Sequence, residues 1–145
     1  MWRSGRRLHS TAGVLMILTA MAHTAGNLAP NQNFALEQVM NVMRSYHLSM
    51  GMGMSPSVFD IFVSLSWTMS FTFTALGILT LIIAGSADTT GSLLRKVGWL
   101  NVVWVGAMLV TNILLRIPPP LICAATIEAV LLMAVLLPAK SVATT

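Results

Sequence analysis

The sequence predicts an all-α fold: an integral membrane four-helix bundle with both termini cytoplasmic and a short amphipathic helix in the outer loop. Three observations lead there. Of the 145 residues, 56% are hydrophobic and 8% are charged, against roughly 45–50% and about 25% in ordinary soluble domains. Several segments reach the length of about 20 mostly apolar residues that a span needs at 1.5 Å rise each. No segment shows the roughly ten-residue alternation of a barrel strand, so helices are the remaining way to satisfy the backbone inside a bilayer. A mean hydropathy of +0.81 agrees.

The chain reads as a single four-span domain over residues 1–145. Span one covers about 8–28, from Leu8 to Leu28, and is closed by Pro30. Span two covers about 57–85, long enough to tilt. Span three covers about 97–117 and should break at Pro118-Pro119-Pro120, which supply no backbone donors. Span four covers about 121–137 and ends at Pro138. Arg3, Arg6, Arg7, Arg95, Lys96 and Lys140 fall on one side, and only Arg44 and Arg116 on the other. The positive-inside rule therefore puts the termini and the 86–96 loop in the cytoplasm. Residues 1–22 also read as a signal peptide, with a basic start and Ala20-Met21-Ala22 as a cleavage site. The apolar run continues past it to Leu28, which favours a retained helix.

The outer segment has two parts. Phe34, Val39, Met40 and Met43 recur at helical spacing, as in an amphipathic helix lying on a membrane surface. His47 to Pro56 is rich in glycine and methionine and is expected to be irregular. Asp88-Thr89-Thr90-Gly91 reads as a cytoplasmic turn.

With eight basic and four acidic side chains, the chain lacks the charge for a soluble enzyme or a nucleic-acid module. One cysteine excludes an internal disulfide or a CxxC site, and Cys123 reads as apolar packing. No phosphate loop, zinc-protease motif or nucleophile–base pair is present, so no catalytic residue is assigned and no cofactor is named. The candidate pocket residues are the polar groups inside the spans, because such groups face a bundle interior or a wet cavity. Glu128 lies mid-span beside Ala124 and Ala125, where another helix can approach. It reads equally as a ligand-binding carboxylate or as an interhelical contact to Arg116 or His23. His23 shares a face with Thr19, Ala20, Gly26 and Asn27, and packing outweighs haem ligation because no span offers a second histidine. Asp60 opens span two, where a carboxylate favours the helix dipole. Gly98, Asn101, Val105, Met108, Asn112 and Arg116 form one face of span three, an inward polar seam. Measured from the outer edge, Arg116 and Asp60 lie within roughly 6 Å, His23 at about 8 Å and Glu128 at about 12 Å. These depths predict a polar pocket opening outward.

His47, Met50, Met52 and Met54 form an outer H-x-x-M-x-M-x-M pattern of soft ligands suited to Cu(I); against it stands the chain's abundance of methionine, eleven in all. Ser66, Ser70, Thr74 and Gly77 form a small-residue stripe suited to close helix packing. The four tryptophans read in part as interfacial anchors.

His23 with Gly26, Met43-Arg44-Ser45-Tyr46, Ser57-x-x-Asp60 and the hairpin Ile117-Pro118-Pro119-Pro120-Leu121-Ile122 resemble small four-helix bacterial membrane proteins of unknown function, loosely DoxX-like. The resemblance covers most of the chain and implies the fold and an inner-membrane location, but no reaction. The expected function is binding of a small amphiphile, a lipid or quinone, in the outward pocket. An accessory subunit of a larger membrane complex or a homo-oligomer is the alternative, and a redox or copper-handling membrane protein the third. The bilayer is the one certain partner on this reading, and nucleic acid is excluded.

Overall fold

The structure, a computed structural model, describes residues 2–30, 33–86, 89–116 and 118–136. Among them the regular elements are helices: α1 (Trp2–Leu28), α2 (Phe34–Ser45), α3 (Val58–Gly85), α4 (Gly91–Leu115) and α5 (Pro118–Leu136). No strand is present among the described residues, only an isolated antiparallel bridge between His47 and Ser57. α3 and α4, with 28 and 25 residues, are each long and apolar enough to cross a membrane, and Pro120–Leu136 is a shorter apolar helix.

The helix ends follow from local chemistry. α1 and α4 each begin six residues before the apolar runs expected at Leu8 and Val97, because Arg, Lys and Leu are good helix formers whether or not they are apolar. Thr90 caps α4, its side chain accepting from Leu93 N at 3.3 Å. Arg116 ends α4 in the left-handed conformation, and its amide donates to Asn112 O and Ile113 O. The prolines open α5 instead of merely ending α4: at a helix start their missing N–H groups cost nothing and their fixed φ suits the first turn. The expected stops at Leu137 and Pro138, and Asp88 of the expected turn, lie outside the described residues.

The chain divides into two compact units, one of residues 1–19 and 73–145, the other of residues 20–72. In the first, α4 and α5 form an antiparallel hairpin whose inner side chains include Val102, Val105, Ala124, Ile127 and Leu131. α1 and α3 cross at glycine: a Cβ added to Gly77 would lie 2.7 Å from the Gly13 carbonyl oxygen, and one added to Gly13 would lie 2.9 Å from the Gly77 carbonyl oxygen. Gly98 of α4 gives the same clearance to the buried ring of His9 and to Val135. Asn101 Nδ2 donates to Thr80 Oγ1 at 2.8 Å, a buried bond joining α4 to α3, and Thr80 Oγ1 donates onward to Leu76 O at 2.7 Å. Arg6 Nη2 reaches Thr89 O at 2.9 Å and so ties the start of α1 to the segment before α4.

In the second unit, α2 is capped by Asn33, whose side chain accepts from Ala35 N and Leu36 N. At its other end, the guanidinium of Arg44 sits 4.4 Å from the centre of the Phe59 ring of α3.

Replacing Gly98 by Val should drive a side chain into His9 and Val135 and cost about 1–3 kcal/mol of stability, the usual penalty of overpacking. Gly26, where an added Cβ meets nothing within 4 Å, is the control. Thermal unfolding in mild detergent should show a large drop for Gly98→Val and none for Gly26→Ala. Equal melting temperatures would refute the close packing.

Candidate functional site

In the second unit, polar side chains of α1 and α3 bond to one another. His23 and Asn27 stand one turn apart on α1, and both reach Ser66 of α3. Ser66 Oγ donates to Asn27 Oδ1 at 2.9 Å, and His23 Nε2 lies 2.9 Å from Ser66 Oγ. A hydroxyl has one proton. With Ser66 Oγ donating to Asn27 Oδ1, its lone pairs are left to accept from His23 when Nε2 carries the ring proton. The bonding also gives Ser66 a different role from Gly77, which does serve as the close-packing member of its stripe.

Asp60 closes a capping box. Its Oδ2 accepts from Ser57 N at 2.9 Å and from Ser57 Oγ at 2.7 Å, while Ser57 Oγ accepts from Asp60 N at 3.1 Å. Reciprocal bonds of this kind satisfy the orphan amides of a first helical turn. Its carboxylate is exposed and is occupied by helix initiation.

The methionine segment, expected to be irregular, has no strand; its two arms are joined by an isolated bridge and a few backbone hydrogen bonds. Val58 N donates to Tyr46 O, Leu48 N to Pro56 O and Met50 N to Met54 O, at 2.9–3.1 Å. At the tip Gly51, Met52 and Gly53 all have positive φ; glycine tolerates this readily and so permits the tight reversal. His47 Nδ1 is 2.8 Å from Ser55 O, and Met50 and Met54 are exposed. Met52 projects at the tip, 92% exposed. No cluster of three or more His, Cys, Asp or Glu exists among the described residues.

In the first unit the α4 seam runs inward, with Gly98, Asn101, Val105 and Asn112 buried. Asn112 Nδ2 donates to Met108 O of its own helix at 2.9 Å. Arg116 leaves the seam and is exposed. Glu128 projects from α5 toward α4 at Gly106, where an added Cβ would be 3.4 Å from Glu128 Oε1. The expected ion pair between Glu128 and Arg116 is not formed. Glu128 Oε2 is buried and has no hydrogen-bond partner. Its carboxylate rests instead on the bare backbone that Gly106 leaves open.

One further polar group escaped the sequence reading. His9 is 2% exposed, and its Nδ1 is buried without a hydrogen bond. It was legible in principle, since His9, Ala12, Gly13 and Met16 fall at i, i+3, i+4 and i+7, the stripe of a packed helix face. It lies inside span one as read from the sequence, so the expectation that no span offers a second histidine is corrected here.

Of the candidates, His23 and Asp60 belong to local hydrogen-bonded structures, Asn112 to its own helix and Arg116 to a helix cap; Glu128 alone has an idle buried polar atom. No family model, curated protein or solved structure matches this chain.

Replacing Asp60 by Ala should cost about 0.5–2 kcal/mol, the range for loss of a helix cap, and Asp60→Asn should recover part of it. Thermal melts of the variants test this; a neutral Asp60→Ala would free the carboxylate for another role.

Proposed function

We propose that this protein crosses the bacterial cytoplasmic membrane four times, with both termini inside, and binds a small amphiphile, a lipid or a quinone, without catalysing a reaction. Two features support the membrane reading. Large apolar side chains are exposed along the helices, among them Leu65, Phe71, Ile82, Val103, Leu114 and Ile122, while Asn101, Thr80 and His9 are buried. This inverts the usual arrangement of a water-soluble protein. Furthermore, Thr68, Thr72, Thr111 and Thr126 each donate to the carbonyl four residues earlier, at 2.8–2.9 Å, satisfying their hydroxyls without water. α1 and α5 complete the four spans on this reading, and the DoxX-like resemblance belongs to the same proposal.

The amphiphile reading rests on Glu128. A carboxyl oxygen buried without a partner is costly in apolar surroundings, and ionisable groups at such depth mark functional sites. A ligand carrying one hydrogen-bond donor and an apolar body would satisfy it. The alternative, an accessory subunit or homo-oligomer, is favoured by the exposed apolar side chains of α2, such as Phe34 and Val42, and by the methionine tip.

Two experiments test the proposal. Cysteines introduced at Ser4, Ser92 and Ser141 should resist an impermeant thiol reagent in intact cells, while one at Asn33 should react; Cys123, within α5, should stay silent. Labelling at Ser92 without lysis would overturn the topology. Native mass spectrometry of protein from mild detergent should show a retained lipid or quinone. Glu128→Gln, and more so Glu128→Leu, should weaken retention at least about tenfold, as expected for a hydrogen bond to a charged group, with no loss of thermal stability. If both variants melt lower and keep the ligand, Glu128 is a structural contact; if no ligand is retained and a partner copurifies, the accessory-subunit reading replaces this one.

A further inference from the structure

The face of α1 opposite its packed stripe carries a second feature. Arg6, Arg7, Ser10, Thr11, Val14 and Leu15 line an open cavity of about 530 Å³. They come in adjacent pairs spaced by four residues, so each pair lies about one helical turn, roughly 5.4 Å, beyond the last. The order is chemical as well as spatial: two guanidinium groups, then two hydroxyls, then two aliphatic side chains.

We infer that this groove binds an anionic phospholipid of the cytoplasmic leaflet, its phosphate at Arg6 and Arg7, its glycerol and ester oxygens near Ser10 and Thr11, and the start of an acyl chain along Val14 and Leu15. The inference rests on the membrane reading above, but on a different region from Glu128. Charge complementarity selects an anion, since no lining residue is acidic and arginine suits phosphate through its planar fork of donors. Arg6 is held in place by its bond to Thr89 O at 2.9 Å, so part of the site is ordered before the ligand arrives, while Arg7 is exposed. Thr11 Oγ1 donates to Arg7 O at 2.9 Å, which leaves its lone pairs for a headgroup hydroxyl. The aliphatic end selects a lipid over a free phosphate. Arg95 and Lys96, both exposed near the start of α4, add to the positive potential that draws anionic lipid to this side of the membrane.

The test uses the full chain in mild non-ionic detergent. It is titrated with phosphatidylglycerol, with phosphatidylcholine of the same acyl chains, and with inorganic phosphate, and binding is read by native mass spectrometry and by melting temperature. Phosphatidylglycerol should bind and raise the melting temperature, while phosphatidylcholine and phosphate should do neither. Arg7→Gln should weaken phosphatidylglycerol roughly tenfold, the cost of one charge-assisted hydrogen bond. Arg95→Gln, outside the groove, should change affinity by less than about twofold, the scale of a screened surface charge. Equal binding of the two lipids, equal loss in both variants, or displacement of lipid by phosphate would each overturn the lipid groove. Extraction of the wild-type protein from membranes by alkaline carbonate would instead remove the membrane reading, and the groove with it. A protein that stays embedded but binds phosphatidylglycerol unchanged in Arg7→Gln refutes the groove alone.

Discussion

The constraint on which the rest depends is that polar groups on these apolar helices must find partners inside the chain. Water cannot be relied on where the surrounding side chains are Leu, Ile, Val and Phe, and an unmet donor in such surroundings costs several kcal/mol. The helices answer in two ways. Threonines turn back on their own carbonyls, as Thr72 does on Thr68 O and Thr126 on Ile122 O. Side chains that cannot turn back bridge helices, as Asn101 does to Thr80 and as His23 and Asn27 do to Ser66. Most of the polar chemistry that looks functional in the sequence is absorbed by this requirement.

Bridges of that length demand close helices, and glycine supplies the closeness. Van der Waals contact and interhelical hydrogen bonding both improve as backbones approach. The Gly13–Gly77 crossing brings carbonyl oxygens within 2.7–2.9 Å of where a Cβ would stand. Four residues along α1 from Gly13, His9 fills the space over Gly98. Gly106, two turns beyond Gly98 on α4, performs the same service for a carboxylate. Packing and polarity are thus coupled: each glycine that lets helices meet also decides which polar group enters the gap.

Much of this was legible in the sequence, because the period of apolar residues and the capping residues act locally. The second span was expected to open at Ser57 with Asp60 in its first turn, and the capping box is there. The α4 seam was visible as i+3 and i+4 steps, and its asparagines do face inward. What was not legible depends on the third dimension or on competing local preferences. The early starts of α1 and α4 come from charged helix formers that hydropathy discounts. The backbone hydrogen bonds that join the two arms of the His47–Pro56 segment around a left-handed Gly-Met-Gly tip are not visible in its composition, which shows only an irregular segment. The Arg116 expected as one partner of Glu128 instead ends α4 in the left-handed conformation and is exposed.

Among the described residues, His9 Nδ1 and Glu128 Oε2 are buried without hydrogen-bond partners, and they differ in kind. His9 Nδ1 belongs to a ring that can stay neutral, with its carbon atoms packed against Gly98 and Val135, so its cost is that of one missing hydrogen bond, roughly 1–3 kcal/mol. Glu128 Oε2 belongs to a carboxyl group, for which solitude in apolar surroundings is far more expensive when charged. A purely architectural role would be served as well by leucine at this position, given that Ala124, Ile127 and Leu131 already form the packed face of α5. The carboxyl instead lies against the place that Gly106 leaves without a side chain, its Oε1 3.4 Å from where a Cβ would stand. On the function proposed above, this unmatched acceptor beside the apolar face of α5 is where a molecule with one polar end would bind.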